Sequence, residues 1–426
     1  MRLVGEASRL KGTVAIPGSK SHSIRAVCLA ALADGESRIE AGLDSADTLA
    51  AIDAYRALGA TIETSPGRWL IRGTGGRPIA PANVIDVRNS GTTLRMALGS
   101  AALLLEQAAV FTGDDQIRRR PIGPLAQSLT DLGADVCSTL NNGCAPVVAR
   151  GRLRGGKTRI EAVTSQYLSS LLINCPLADG ACEIDVPLLN EQPYVHITLA
   201  WLDRCGIRLE RDGLRWFRIP GGQGYRAFDA RVPADFSSAT FFLAAGVLGD
   251  NDVLVEGLDF GDTQGDKAVV DYLRAMGANI EIGPRGVRVR PGRLTGCEID
   301  MNATPDALPM MAVVGCFAQG RTVLVNVPQA RLKETDRIAV MRRELAKMGA
   351  RITERPDGLI IEQSDLRGAS VEGHGDHRVV MALAVAATAI AGETRISTAE
   401  AMEVTFPTFL GCMTGLGAAL RLEPDG

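Results

Sequence analysis

One pattern recurs six times along this chain and constrains the fold more than any other feature: an amphipathic helical stretch, a glycine, then a short β-rich run. The glycines are Gly59 in ALGATIE, Gly133 in DLGADV, Gly206 in RCGIRL, Gly277 in AMGANIEI, Gly349 in KMGARIT and Gly417 in GLGAAL. Glycine reaches positive φ without a steric penalty, which the position after a helix's last turn commonly demands. The copies stand roughly 70 residues apart, beyond the roughly 20–50 residues of solenoid repeats, so each is expected to form a small globular lobe. Each unit also carries an earlier alanine-rich helix that opens on a polar cluster: GSKSHSIR at Gly18, NSGTTLR at Asn89, TSQYLSS at Thr164, DFSSATFF at Asp235, TPDALPMM at Thr304 and GDHRVVMA at Gly375. Three units per half predict an α/β fold of two similar domains. The chain is expected to cross between them near Ile16 to Gly18 and near Val232 to Pro233, giving one domain over 17–232 and a second from 1–16 plus 233–426.

Bulk properties remove several function classes. A chain of 426 residues with 46% apolar content can bury two cores. Lysine plus arginine number 46 against 49 acids, a balance that argues against a nucleic-acid or anionic-membrane surface, so any anion site must be local. The nine scattered cysteines lack a CxxC pair, which speaks against a disulfide framework or thiolate zinc site and for a reducing, cytoplasmic setting. No HExxH pair occurs among the four histidines, and the longest apolar run, Val379 to Gly392, falls short of the roughly 20 residues of a membrane helix. Metal chemistry and a membrane span therefore have no support in the sequence.

Basic residues stand where helix stability disfavours them. A cation at the positive end of a helix costs roughly 0.3–1 kcal/mol. Yet Lys20 and Arg25 lie at or near the start of the first helix, and Arg120 directly precedes Pro121, expected at a first helical position. Lys333 and Arg337 are expected to open the RLKETDRIAV helix, and Arg378 opens VVMALAVAA. Each alone could be a solvated surface cation. Recurrence in both halves points instead to helix ends and side chains converging on bound anions such as phosphate and carboxylate.

These motifs resemble a known family. From IPGSKSHSIR at Ile16 to TFPTFL at Thr405, the order PGSKS, NSGTTLR, TGD with RRRP, SQYLSSLL, PDALPM, RLKETDR and GDHRVVMA is similar to that of the 3-phosphoshikimate 1-carboxyvinyltransferases, or EPSP synthases, of the enolpyruvyl transferase family. The resemblance implies an inside-out barrel of six repeats, with substrates held in the interdomain cleft. It implies that phosphoenolpyruvate and shikimate 3-phosphate are the partners, that no cofactor is needed, and that the protein is monomeric. The reaction would pass through a tetrahedral ketal phosphate that loses inorganic phosphate. It further implies that Lys20, Arg120, Lys333, Arg337 and Arg378 surround phosphoenolpyruvate, with Asn89 and Gly91 on an adjoining turn. Gly91 also leaves room for the inhibitor glyphosate. Ser21 and Arg25 would contact the shikimate part, and Thr164, Ser165 and Gln166 would hold shikimate 3-phosphate. Asp306 resembles the base near the acceptor hydroxyl, and Glu334 the acid that moves a proton at the methylene carbon.

Spacing bears on Glu334 separately. Positions 334, 338, 341, 345 and 348 would share one helical face with Ile338, Met341, Leu345 and Met348, so Glu334 is expected to continue a core stripe as a desolvated proton donor. A capping acid is the alternative for both Glu334 and Asp306. The hydroxyl and amide residues at helix starts could simply be N-caps, and His377 beside Asp376 could be catalytic or structural. Met310, Met311, Phe241 and Phe242 read as core.

Three positions depart from the family pattern. Glu191 stands where a serine often meets the acceptor phosphate, and the expectation is that it turns away or pairs with an arginine. Val404 replaces a lysine, and Gln329 replaces an asparagine expected to touch substrate. Two rivals stay open: transfer to UDP-N-acetylglucosamine on the same fold, against which DDQIRRRP offers no cysteine, and a catalytically silent anion-binding paralogue.

Overall fold

The computed structural model describes residues 1–425. Its α-helices are α1 (Lys20–Leu32), α2 (Ala46–Ala57), α3 (Gly91–Ala101), α4 (Gly123–Asp131), α5 (Ser165–Asn174), α6 (Gln192–Arg204), α7 (Phe236–Val247), α8 (Ala268–Ala275), α9 (Leu308–Phe317), α10 (Arg337–Lys347), α11 (His377–Thr388) and α12 (Phe409–Gly415). Among the described residues, six four-stranded sheets accompany these six helix pairs. Every sheet has one parallel pair followed by two antiparallel neighbours. Thus Ile85–Asp86 runs parallel to Ala108–Thr112, which pairs antiparallel with Val147–Arg150, itself antiparallel to Asp135–Ser138.

The chain divides into two compact units, Gly18–Val232 and Met1–Pro17 with the residues from Pro233 onward. Strand pairing shows why the first residues belong with the last. Arg2–Glu6 lies between Thr394–Ser397 and Ala419–Glu423, and Lys11–Ala15 runs parallel to Asp252–Glu256. Reciprocally, Asp229–Arg231 completes the sheet of Glu36–Glu40.

Burial separates the two helices of each pair. In α7 and α11 every residue is buried, which a helix apolar on all sides requires. By contrast, α8 buries only Val269, Val270 and Leu273 and leaves its other face to solvent. Alternate strand residues such as Val253, Val255, Val287 and Val289 complete the packing, with one continuous core in each unit. Phe241, Phe242, Phe406 and Phe409 pack together with ring centroids 5.8–5.9 Å apart, and Met310 and Met311 are fully buried, so all four residues read as core are core.

The six glycines do the same job six times. Their φ values are +103° at Gly59, +108° at Gly133, +72° at Gly206, +97° at Gly277 and +100° at both Gly349 and Gly417. In each case the following residue donates its N–H to a carbonyl five positions back, as Ala350 does to Leu345 at 3.0 Å and Ala60 to Tyr55 at 3.0 Å. This closes the last helical turn and throws the chain into its next strand. Replacing Gly349 by Ala is expected to destabilise the protein by about 1–2 kcal/mol, because a Cβ disfavours this backbone region. Thermal unfolding should fall by roughly 2–4 °C for each kcal/mol lost, and an unchanged midpoint would contradict the assignment.

Candidate active site

In the unit formed by Met1–Pro17 and Pro233 onward, the chemistry centres on Arg337, the first residue of α10. Its guanidinium is buried and faces three carboxylates. Nη1 donates to Asp306 Oδ1 at 2.7 Å, Nη2 donates to Glu334 Oε2, and Nε and Nη2 reach the two oxygens of Asp376 at 2.8 and 3.1 Å. Burial alone would lower the Arg337 pKa, but Asp376, Glu334 and Asp306 together raise it above the ordinary value. For Asp376 burial pushes upward, and the charge and hydrogen bond of Arg337, joined by His377, hold the carboxyl low all the same.

Asp306 is the reciprocal hub. Besides Arg337, it meets Arg378 Nη2 at 3.1 Å and Lys333 Nζ at 3.9 Å. Lys333, Arg337 and Arg378 thus balance Asp306, Glu334 and Asp376. Asp376 also caps α11 by accepting from the Arg378 N–H, and it accepts from Thr335 Oγ1 at 3.0 Å, tying the loop before α10 to the start of α11. Buried His377 opens α11 and adds to the positive field on Asp376. Gln329 spends its amide on the Asn302 carbonyl.

In the Gly18–Val232 unit, three helix starts carry the polar residues. Lys20 is the first residue of α1 and pairs with Asp47, in the first turn of α2, at 3.1 Å. The α1 cap, Ser19, makes no capping bond, and its buried hydroxyl has no hydrogen-bond partner. Ser21 accepts through its carbonyl from Arg25, whose buried guanidinium also donates to Thr198 Oγ1, Ser169 Oγ and the Tyr194 carbonyl. Burial without an acidic partner pulls the Arg25 pKa down to about 10.

At α3, Gly91 lies beneath two guanidinium groups. A Cβ there would lie 2.5 Å from Arg95 Nη1 and 2.8 Å from Arg120 Nη1. Arg95 donates to the Gly91 carbonyl, Gln166 Oε1 and the Pro121 carbonyl, while Arg120 reaches the Asn89 carbonyl. The Asn89 amide is held by Asp114 and Gln116. Gln166 also donates to Thr92. At α5, Thr164 is the N-cap and Ser165 the first helical residue, and both bind the Glu191 carboxylate.

Several expectations need correction. Glu334 does not lie on a helix: α10 starts at Arg337, with Asp336 as its N-cap, because the Asp336 side chain accepts from the Ala339 N–H and ends the preceding bend. The stripe Ile338, Met341, Leu345 and Met348 is buried, but Glu334 is held by Arg337 instead of continuing it. Lys333 also precedes α10 instead of opening it. Pro121 is not in a first turn, since α4 starts at Gly123 and uses Pro124 there. Separately, the Glu191 carboxylate accepts from Thr164 and Ser165, and its charge also acts on Arg95.

Sequence reasoning missed Arg95, Asp47 and Asp376 as members of these clusters. Arg95 had a signal, standing four residues after Gly91 inside NSGTTLR and hence on the same helical face. The partnership of Asp47 with Lys20 joins two helices, and no spacing rule reveals it.

Glu344, Glu372 and His374 bring three potential metal-ligating atoms within 4.8 Å of one another. The Glu344 carboxylate, however, already accepts from Arg343, Lys347 and the Glu372 N–H. Two cations on one carboxylate oppose a third, so the group reads as a structural clasp between α10 and the segment leading to Asp376.

A family model described as EPSP synthase (3-phosphoshikimate 1-carboxyvinyltransferase) matches residues 4–413. Proteins named 3-phosphoshikimate 1-carboxyvinyltransferase are similar along their whole length. That of Acetivibrio thermocellus is 53% identical over 98% of this chain and 99% of its own, and that of Ruminiclostridium cellulolyticum is 50% identical over 99% and 100%. A solved EPSP synthase from Acinetobacter baumannii superposes with a TM-score of 0.84 at 27% identity, covering all of both chains. Fold and repeat thus define an enolpyruvyl transferase. The chain belongs to the EPSP synthase family.

Replacing Arg337 by Met would leave three carboxylates crowded and without their shared cation. The expected loss is about 3–5 kcal/mol, readable as a lower urea midpoint, and a near-neutral result would show the network to be peripheral. Glu344 supplies a pH test. Burial would raise its pKa, but Lys347, the Glu372 amide, His374 and Arg343 hold it at about 2 against an ordinary 4.5. A depressed folded pKa contributes stability that is complete above about pH 4.5 and is lost as pH falls toward 2. Urea melts of Glu344→Gln should therefore show a lower stability at pH 7 and a flatter decline across this window than the unmutated chain.

Proposed function

We infer that this chain transfers the enolpyruvyl group of phosphoenolpyruvate to the 5-hydroxyl of shikimate 3-phosphate, releasing inorganic phosphate, in aromatic amino acid biosynthesis. The observation that carries the reading is that one guanidinium, Arg337, binds both Asp306 and Glu334. The two acids to which the family resemblance gives proton-transfer roles are thereby held at a fixed separation by a rigid, planar donor.

In this reading the acceptor oxygen forms a bond to C2 of phosphoenolpyruvate as Glu334 delivers a proton to C3. Asp306 holds the acceptor hydroxyl and takes its proton. In the second step Glu334 removes a proton from C3, the double bond re-forms, and the C2–O bond to phosphate breaks. Lys20, Arg120, Lys333, Arg337 and Arg378 would neutralise the phosphate and carboxylate charges, so no metal or organic cofactor is invoked. Of these, Arg337 is the most deeply engaged by protein carboxylates, and its role is to position Asp306 and Glu334. Asn89 and Gly91 would shape the turn beside phosphoenolpyruvate. Ser21, Arg25, Thr164, Ser165 and Gln166 would hold the acceptor. Gln329, bonded to a backbone carbonyl, and His377, buried at the start of α11, would support this arrangement from behind.

The reading also takes the protein to be cytoplasmic and monomeric. Among the described residues, no helix is long and apolar enough to cross a membrane.

Phosphate release from phosphoenolpyruvate plus shikimate 3-phosphate tests the assignment. Glu334→Ala and Asp306→Ala should each lower kcat by roughly 10²–10⁴-fold, the usual worth of a positioned acid or base. No release by the unmutated chain would refute the enzyme reading, and release with UDP-N-acetylglucosamine in place of shikimate 3-phosphate would move it to the sister activity.

A further inference from the structure

We propose that Glu191 is a built-in competitor for the acceptor's phosphate: its carboxylate fills the anion seat at the start of α5 and has to leave before a phosphorylated acceptor can use the same donors. This rests on the assignment of Thr164, Ser165 and Gln166 to the acceptor.

A single oxygen, Glu191 Oε2, accepts from the Ser165 N–H at 3.2 Å, from Ser165 Oγ at 2.9 Å and from Thr164 Oγ1 at 3.1 Å. Each hydroxyl carries one proton. With both protons and the first helical amide directed at Glu191, the residues assigned to the phosphate are committed elsewhere. The first turn of α5 contains no acid of its own, so the anion that its positive end favours arrives from a residue 26 positions later in the chain.

A separate observation shows that this neighbourhood is built for more negative charge than Glu191 supplies. Arg95 is buried, yet the acceptors of its hydrogen bonds are neutral: the Gly91 carbonyl, Gln166 Oε1 and the Pro121 carbonyl. Its Nε is buried with no hydrogen-bond partner. Burial and the nearby Arg120 lower its pKa, and Tyr167 and, last, the Glu191 charge offset that only in part. Gln166 therefore stands between a cation without a bonded acid and a helix start already occupied by one.

The backbone at Glu191 is consistent with a held, displaceable arm. Its φ of 58° and ψ of 40° are left-handed, a conformation that L-residues with a Cβ disfavour, and its side chain is buried at the junction leading into α6. Displacing the carboxylate removes a like charge from the path of the incoming phosphate. Affinity for the acceptor is thereby lowered by the protein's own anion, without any change to the residues that move protons.

Titration calorimetry with shikimate 3-phosphate on the full chain and on Glu191→Gln and Glu191→Ser tests this. The glutamine keeps the shape and an accepting oxygen for Ser165 and Thr164 while removing the charge, which guards against loss of folding. Tenfold or greater tightening in the glutamine variant is expected, with a matching fall in KM for shikimate 3-phosphate and less than a twofold change in KM for phosphoenolpyruvate. The serine variant, which adds a donor, should tighten further. Unchanged or weaker binding in the glutamine variant, with an unaltered thermal midpoint, overturns the proposal. If neither the unmutated chain nor either variant binds shikimate 3-phosphate, the acceptor assignment itself falls, and the proposal falls with it.

Discussion

A buried guanidinium among three carboxylates is the interaction on which the catalytic reading depends. Arg337 can stay charged at almost no exposure because Asp306, Glu334 and Asp376 surround it, and in return it helps to hold the buried Asp376 carboxyl low. Desolvation would otherwise make either side of this arrangement costly. The network also spans elements: Asp306 precedes α9, Glu334 lies in the bend before α10, and Asp376 caps α11. One side chain thus sets the relative positions of three segments, which is what a proton donor and a proton acceptor working on one substrate require.

The two units use the same architecture with different electrostatics. In Gly18–Val232 the caps of α1, α3 and α5 are Ser19, Ser90 and Thr164, neutral hydroxyls that leave the positive helix ends unneutralised, with Lys20, Arg95 and Arg120 adding to them. In the other unit α7 and α11 are capped by Asp235 and Asp376, and cations arrive as partners of carboxylates. Anion attraction therefore dominates in the first and charge balance in the second. Carboxylates still reach two of these starts in the first unit, Asp47 beside Lys20 at α1 and Glu191 at α5.

Much of the fold could be read from the chain because its signals are local. A helix followed by glycine needs only a few neighbouring residues to close its last turn, so six such sequences produced six matching turns. The wholly apolar helices likewise announce their burial by composition. The start of α10 was misplaced because two local signals competed: the apolar stripe runs back in register to Glu334, but Asp336 is the better cap and its side chain ends the helix there. The Pro121 assignment failed in the same way, with Pro124 three residues on taking the first turn.

What the sequence by itself determined is the repeated α/β unit, the six glycine turns and the set of polar helix starts, since each follows from residues within about one turn of one another. Membership in the EPSP synthase family was carried by the order of motifs. Tertiary structure alone decided who faces whom. That Arg337 joins Asp306 and Asp376, that Lys20 meets Asp47, and that Glu191 reaches the start of α5 are contacts between segments whose distance in sequence carries no directional information. Electrostatic partners are chosen by where burial forces charges together, and that is known only once the chain has packed.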